Sequence, residues 1–187
     1  MNSGVGERSE TVGVEADVPA VAVRFRLEPA SALDREVVTR LLGREPQGTF
    51  QVAVRRDDGT PVVLANLPLL ESGRPMPTRY WLCDRRLVGA IGKLESEGGV
   101  NRAEAEVDPE VLRATHDAYA AARDRLLPSG HDGPAPSGGV GGTRIGVKCL
   151  HAHYANLLAG ADDPVGHWVH RHLAAVGRAF DPSEPAE

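Results

Sequence analysis

Lysine, cysteine and aromatic side chains are all scarce in this sequence. The two cysteines, Cys83 and Cys149, are too few for the disulfide framework of a small secreted domain. Both thiols are expected to be reduced, in a cytoplasmic setting. Aromatic residues make up 4% of the chain, so the core must be built mainly from Val, Leu and Ala. The chain also lacks a basic stripe. Its net charge is −5, and among its arginines Arg55-Arg56 and Arg85-Arg86 stand out as the only pairs. That excludes the electrostatic footprint of a nucleic-acid partner and of a polybasic membrane patch. No apolar run approaches the roughly 18 residues of a spanning helix. The first residues show no basic segment followed by an apolar one, so no secretory signal is expected.

The rest reads as one globular domain. With 187 residues and 41% hydrophobic content, the chain can bury a core without metal or disulfide staples. Residues 1–17 are small, polar and acidic and read as a disordered tail, 18–180 as a single domain, and 181–187 as a second frayed tail. Ser31 opens a helical stripe through Leu33, Val37, Val38, Leu41 and Leu42 that stops at Gly43. Two β-rich runs flank Asp58-Gly59, a hairpin signal. Residues 78–83 read as a third strand, with Thr78, Tyr80 and Leu82 on one face and Arg79, Trp81 and Cys83 on the other. Asp84 caps a helix ended by Gly98-Gly99, and Asp108-Pro109 opens another. A long Gly/Pro/Ser segment follows Pro128. Two last helices are expected, one from Val147 to Gly160 and one opened by Asp163-Pro164. The fold class is therefore α+β: a small antiparallel sheet of about three strands with about five helices, the C-terminal half all helical.

Residues 77–100, "PTRYWLCDRRLVGAIGKLESEGGV", and 137–169, "SGGVGGTRIGVKCLHAHYANLLAGADDPVGHWV", resemble the bacterial family catalogued as domain of unknown function 501. The resemblance extends over about residues 41–169, with "GVKCLHAHYA" and "DDPVG" its most specific parts. It implies a member of a family found chiefly in high-GC Gram-positive bacteria. Genes of that family often lie near those of a septum-formation initiator and an exopolyphosphatase. The resemblance carries no activity and no catalytic residue, so the chemistry must be sought in the side chains.

One short stretch concentrates the reactive residues. Lys148, Cys149, His151 and His153 fall within six positions, behind a glycine run. A glycine-rich loop feeding a helix start presents unpaired N–H groups, an anion site to which Gly146, Arg144 and Lys148 would contribute, with Arg79 from the third strand. The order of glycines and lysine is not that of a Walker loop. A cysteine in a first helical turn beside a lysine favours its thiolate. At i, i+4 on a helix, Cys149 and His153 share a face, and a thiolate with a histidine in reach is the minimum for nucleophilic catalysis. His151 and His116 are the other candidate acid-base groups. The same pair suits a zinc ion, with Cys149, His153 and Cys83 as ligands and His116 or His131 as further donors. Cys149 as a small buried hydrophobe and the glycines as a plain linker remain the bland alternatives. Glu95 is a further candidate. The cluster of His116, Tyr119 and Arg123 reads equally well as a solvated face. His167, His170 and His172 read as surface residues.

Three functions fit these residues. The first is an anionic small-molecule site, in a hydrolase or transferase acting on phosphate or acyl groups without a cofactor. The second is a non-enzymatic protein with a protein partner in cell division or envelope assembly. The third is a Cys/His zinc-site protein.

Overall fold

The computed structural model describes residues 25–185. The expected tail over residues 1–17 lies outside them. Four strands form one antiparallel sheet in chain order: β1 (Glu28–Pro29), β2 (Phe50–Arg55), β3 (Pro61–Asn66) and β4 (Tyr80–Leu82). Among the described residues there are six α-helices, α1 (Ala32–Leu42), α2 (Arg85–Ser96), α3 (Gly99–Glu106), α4 (Pro109–Asp124), α5 (Leu150–Leu158) and α6 (Pro164–Ala174). A single 3-10 turn at Val140–Gly142 lies between α4 and α5. The α+β class with a helical C-terminal half is what the sequence implied.

The sheet sorts its side chains to two cores. Phe50, Val52, Leu64 and Cys83 face α1 and pack on Val38. Ala53, Val63, Ala65 and Leu82 face the other helices. A register shift between Val52 and Val54 lets Ala53 and Val54 both join the larger core, against strict alternation.

The centre of that larger core is α5. Eight of its nine residues are buried, from Leu150 to Leu158, and it packs on α6, β4 and α2. Leu, Ala and Tyr line most of its surface, and the buried His153 and Asn156 are both paired with Asp163, so the helix can sit inside. Removing a side chain such as Leu158, which is fully buried, would cost about 2–5 kcal/mol. The burial holds α5 rigidly and fixes where its N-terminus emerges, beside β4 and α2.

Three local features depart from the sequence reading. Gly98 adopts a left-handed conformation (φ 80°), but the chain turns there and re-enters a helix, α3, at Gly99. α5 begins at Leu150, not near Val147, and Cys149 is its N-cap in an extended conformation (φ −157°, ψ 121°). The expected frayed tail from 181 is tied down over its described part. The guanidinium of the buried Arg56 donates to the carbonyls of Asp181 and Glu184 and pairs with Asp84, while Arg86 pairs with the Glu184 carboxylate.

Candidate functional site

The N-terminus of α5 opens onto a cavity of about 390 Å³. Its walls are largely apolar. Tyr80, Trp81 and Leu82 come from β4, Val88 from α2 and Ala152 from α5, with Thr78 and Gly141 completing the rim. The groups able to do chemistry there are Lys148, Cys149 and His151.

Cys149 Sγ lies 3.6 Å from His151 Nδ1. The same nitrogen lies 3.2 Å from Glu95 Oε1. On the far side of the ring, Nε2 lies 3.0 Å from the Val88 carbonyl oxygen. A carbonyl can only accept, so Nε2 carries a proton and Nδ1 is the atom turned to the sulfur and the carboxylate. Glu95 is itself held: its Oε1 accepts the Leu150 amide at 2.7 Å. Burial works against a charge on His151. The hydrogen bonds to Cys149 and to the Val88 carbonyl, with the charges of Cys149 and Glu95, outweigh it and lift the imidazole to about 9. Sulfur, imidazole nitrogen and carboxylate oxygen thus converge at a half-buried point on the cavity wall, where they favour a positive charge between them.

The partner of Cys149 is therefore His151, not His153. Since Cys149 precedes the helix in extended backbone, the i, i+4 relation expected of Cys149 and His153 does not arise. His153 points into the core, 1% exposed, with Nδ1 2.9 Å from both oxygens of the fully buried Asp163. Asp163 also receives the Asn156 amide and caps α6 through the Gly166 N–H. His116 is a third, separate element, its ring centroid 5.5 Å from that of His153. Its Nδ1 accepts the Val140 amide, and its Nε2 donates to the Gly146 carbonyl, both at 3.1 Å. It therefore pins the two ends of the glycine loop. Gly139 has to be glycine for this: a Cβ there would fall 2.4 Å from His116 Cβ.

The four residues expected to bind an anion are scattered. Lys148 lines the cavity. Arg79 is buried elsewhere, donates to the Asn66 carbonyl and lies over the Tyr80 ring. Arg144 is exposed. Gly146, with φ 68°, lies against Glu104, whose carboxylate takes the Val147 amide at 2.8 Å. Glu104 and Glu95 thus occupy the amides of Val147 and Leu150, positions an anion would have used.

The expected zinc ligands divide in the same way. Cys83 is buried under α1, hydrogen-bonded to the carbonyls of Pro61 and Val62, and burial, aided by Asp84, pushes its thiol up. It cannot join Cys149. His131 is in the exposed loop, next to the Pro134 carbonyl. Among the described residues, the set within ligand distance is instead Glu95, Cys149 and His151, whose ligating atoms all lie within 4.8 Å of one another. Sequence spacing gives no sign of Glu95 as a neighbour, because it comes from a helix 55 residues earlier.

Other polar residues turn out to be structural. Arg123 is 1% exposed and donates to the carbonyls of Pro77, Pro136 and Gly138, which anchors the Gly/Pro/Ser segment. Tyr119 accepts the amides of Arg79 and Tyr80. His170, expected at the surface, is buried beside Tyr154. Among the described residues, no helix is long and apolar enough to cross a membrane.

No curated protein and no solved structure matches the chain. Residues 52–171 match a family model and include β4, α2, the glycine loop and α5, every element that builds the cavity. The chain belongs to the family described as protein of unknown function (DUF501).

Proposed function

We propose that this protein is a hydrolase or transferase that acts on an acyl group of a small molecule held in the cavity at the start of α5. The observation that carries this reading is the placement of Cys149 Sγ 3.6 Å from His151 Nδ1 on the wall of an apolar cavity. A thiol next to an imidazole is the minimal activated nucleophile, and a third group must orient the imidazole. The Val88 carbonyl has that role at Nε2. The sulfur attacks the carbonyl carbon, its proton resting on His151 Nδ1. The leaving group departs with that proton, and an acyl thioester remains on Cys149. Water or a second acceptor then takes the acyl group and restores the thiol.

Two features favour acyl over phosphoryl substrates. The cavity walls are Tyr80, Trp81, Leu82, Val88 and Ala152, which suit an apolar acyl chain. A phosphoryl group needs several donors or cations around it. Here Lys148 is the lysine at the cavity, and Glu95 and Glu104 hold the nearby amides. Lys148 suits a single carboxylate on the substrate, the remaining part of the anionic-ligand expectation.

The test is acyl transfer to the protein itself. Incubation with aryl esters and thioesters of graded chain length, followed by intact-mass and peptide analysis, should give one acyl group on Cys149. Turnover should vanish in Cys149→Ala and fall strongly in His151→Gln. An absence of acylation at Cys149 across the series would overturn the reading.

A further inference from the structure

We infer that Glu95, Cys149 and His151 form a zinc site with three protein ligands and a fourth position open to the cavity. The inference stands on geometry and does not require that Cys149 be a nucleophile.

Zinc binds sulfur at about 2.3 Å and imidazole nitrogen or carboxylate oxygen at about 2.0–2.1 Å, in a tetrahedron. The edges of such a tetrahedron are about 3.6 Å from sulfur to nitrogen and about 3.3 Å from nitrogen to oxygen. The observed Sγ to Nδ1 and Nδ1 to Oε1 separations are 3.6 and 3.2 Å. Two edges of the coordination polyhedron are therefore present in the protein alone.

The surroundings of the ligands are those of a metal site. A ligating histidine usually donates its other N–H to a carbonyl or carboxylate, which fixes the tautomer. His151 Nε2 does this to Val88, so Nδ1 is the atom turned to the centre of the cluster, and its lone pair is offered once the metal displaces its proton. Glu95 is oriented by the Leu150 amide. The ligands come from α2 and from the start of α5, two packed helices, so little order has to be gained on binding. A thiolate and a carboxylate would neutralise the two charges of the ion, the protons held by the thiol and by His151 Nδ1 leaving to solvent. Sulfur and nitrogen donors select zinc over magnesium or calcium, which want oxygen. Three protein ligands and an open position are the arrangement of zinc sites that bind a water or a substrate.

Zinc and acyl transfer both need the sulfur lone pair. If the proposed acyl chemistry holds, bound zinc silences it.

The experiment uses the full chain, without an affinity tag and stripped with a chelator. Zinc is titrated against a chromophoric competitor, and cobalt(II) is added in its place to a second sample. The expected result is one zinc per chain, a cobalt–thiolate absorption band with the intense visible bands of a tetrahedral site, and protection of Cys149 from alkylation. Cys149→Ser should remove the thiolate band. Loss of a ligand in His151→Ala should weaken binding by at least the about 10- to 100-fold typical of lost supporting contacts. Glu95→Gln keeps an acceptor for the Leu150 amide, so its weakened binding would reflect the lost ligand and not a disturbed helix. Cys83→Ala should bind like the wild type. Binding without a thiolate band, zinc that leaves Cys149 fully open to alkylation, or no binding at micromolar metal would each overturn the inference. Zinc binding without acylation would sink the acyl reading alone, and acylation without zinc binding would sink this inference alone.

Discussion

The Leu150 amide donates to Glu95 Oε1 at 2.7 Å, so α5 is capped by a glutamate of α2 and not by its own N-cap residue, whose side chain makes no capping bond. Losing a side-chain cap costs about 1 kcal/mol, with a range of roughly 0.5–2. Glu95→Ala should lower the unfolding free energy by about that amount, and Glu95→Gln by clearly less, since an amide oxygen still accepts. Denaturant unfolding of the two variants checks this. Equal losses would mean that charge, not the cap, is what Glu95 contributes.

The glycine loop should loosen in mild acid. His116 is neutral while Nδ1 accepts the Val140 amide, and a proton on Nδ1 would set two N–H groups against each other. Burial, with a smaller contribution from His153, holds His116 below the usual histidine range against the pull of the Gly146 carbonyl and the more distant acids. The unfolded chain therefore takes up this proton first as pH falls. The stabilisation by neutral His116 is complete above the ordinary value of about 6.5 and is lost as pH drops from there through the lower folded value. His116→Gln keeps one acceptor and one donor but does not titrate. The Tm of wild type relative to His116→Gln should be constant above about pH 7.5 and fall as the pH drops below about 6.5. Amide exchange in residues 139–146, corrected for intrinsic rates, should rise in the wild type over that window. A difference in Tm that does not change with pH would contradict the assignment.

Removal of residues 181–187 should destabilise the domain. Arg56 is 3% exposed and would lose the carbonyls of Asp181 and Glu184, keeping Asp84. Leaving the buried Arg56 Nη1 without its two acceptors costs about 1–3 kcal/mol. Denaturant unfolding of a chain ending at Phe180 measures it. No change would mean that water replaces both carbonyls.

What the sequence makes legible is local. Ser31 and Gly43 mark the ends of α1, and both have the cap geometry that their residue types imply. Asp58-Gly59 does join β2 to β3, and Asp108-Pro109 and Asp163-Pro164 open α4 and α6. In these cases the residues that decide the structure are neighbours in the chain. The grouping of Lys148, Cys149 and His151 on one cavity is legible. The pairing within it is not, because Glu95 decides where α5 starts and Val88 decides how His151 turns, and both come from α2. Periodicity continues smoothly through Val147 and cannot show that the helix waits for Leu150. The same holds for His153, whose spacing from Cys149 suggests a pair while Asp163 draws it into the core. The Gly/Pro/Ser segment looks unanchored in sequence for a like reason, its anchor being the guanidinium of Arg123 on α4.

Both the acyl chemistry and the zinc site require Cys149 to be an accessible thiol coupled to His151. Alkylation of the native, metal-free protein by a small neutral reagent, followed by peptide mapping, reads both thiols together. Cys149, partly exposed on the cavity wall, should be labelled well before the buried Cys83, and His151→Gln should slow the labelling of Cys149 while leaving Cys83 unchanged. A Cys149 that stays unlabelled in the folded protein, or that reacts at the same rate with and without His151, would contradict the account.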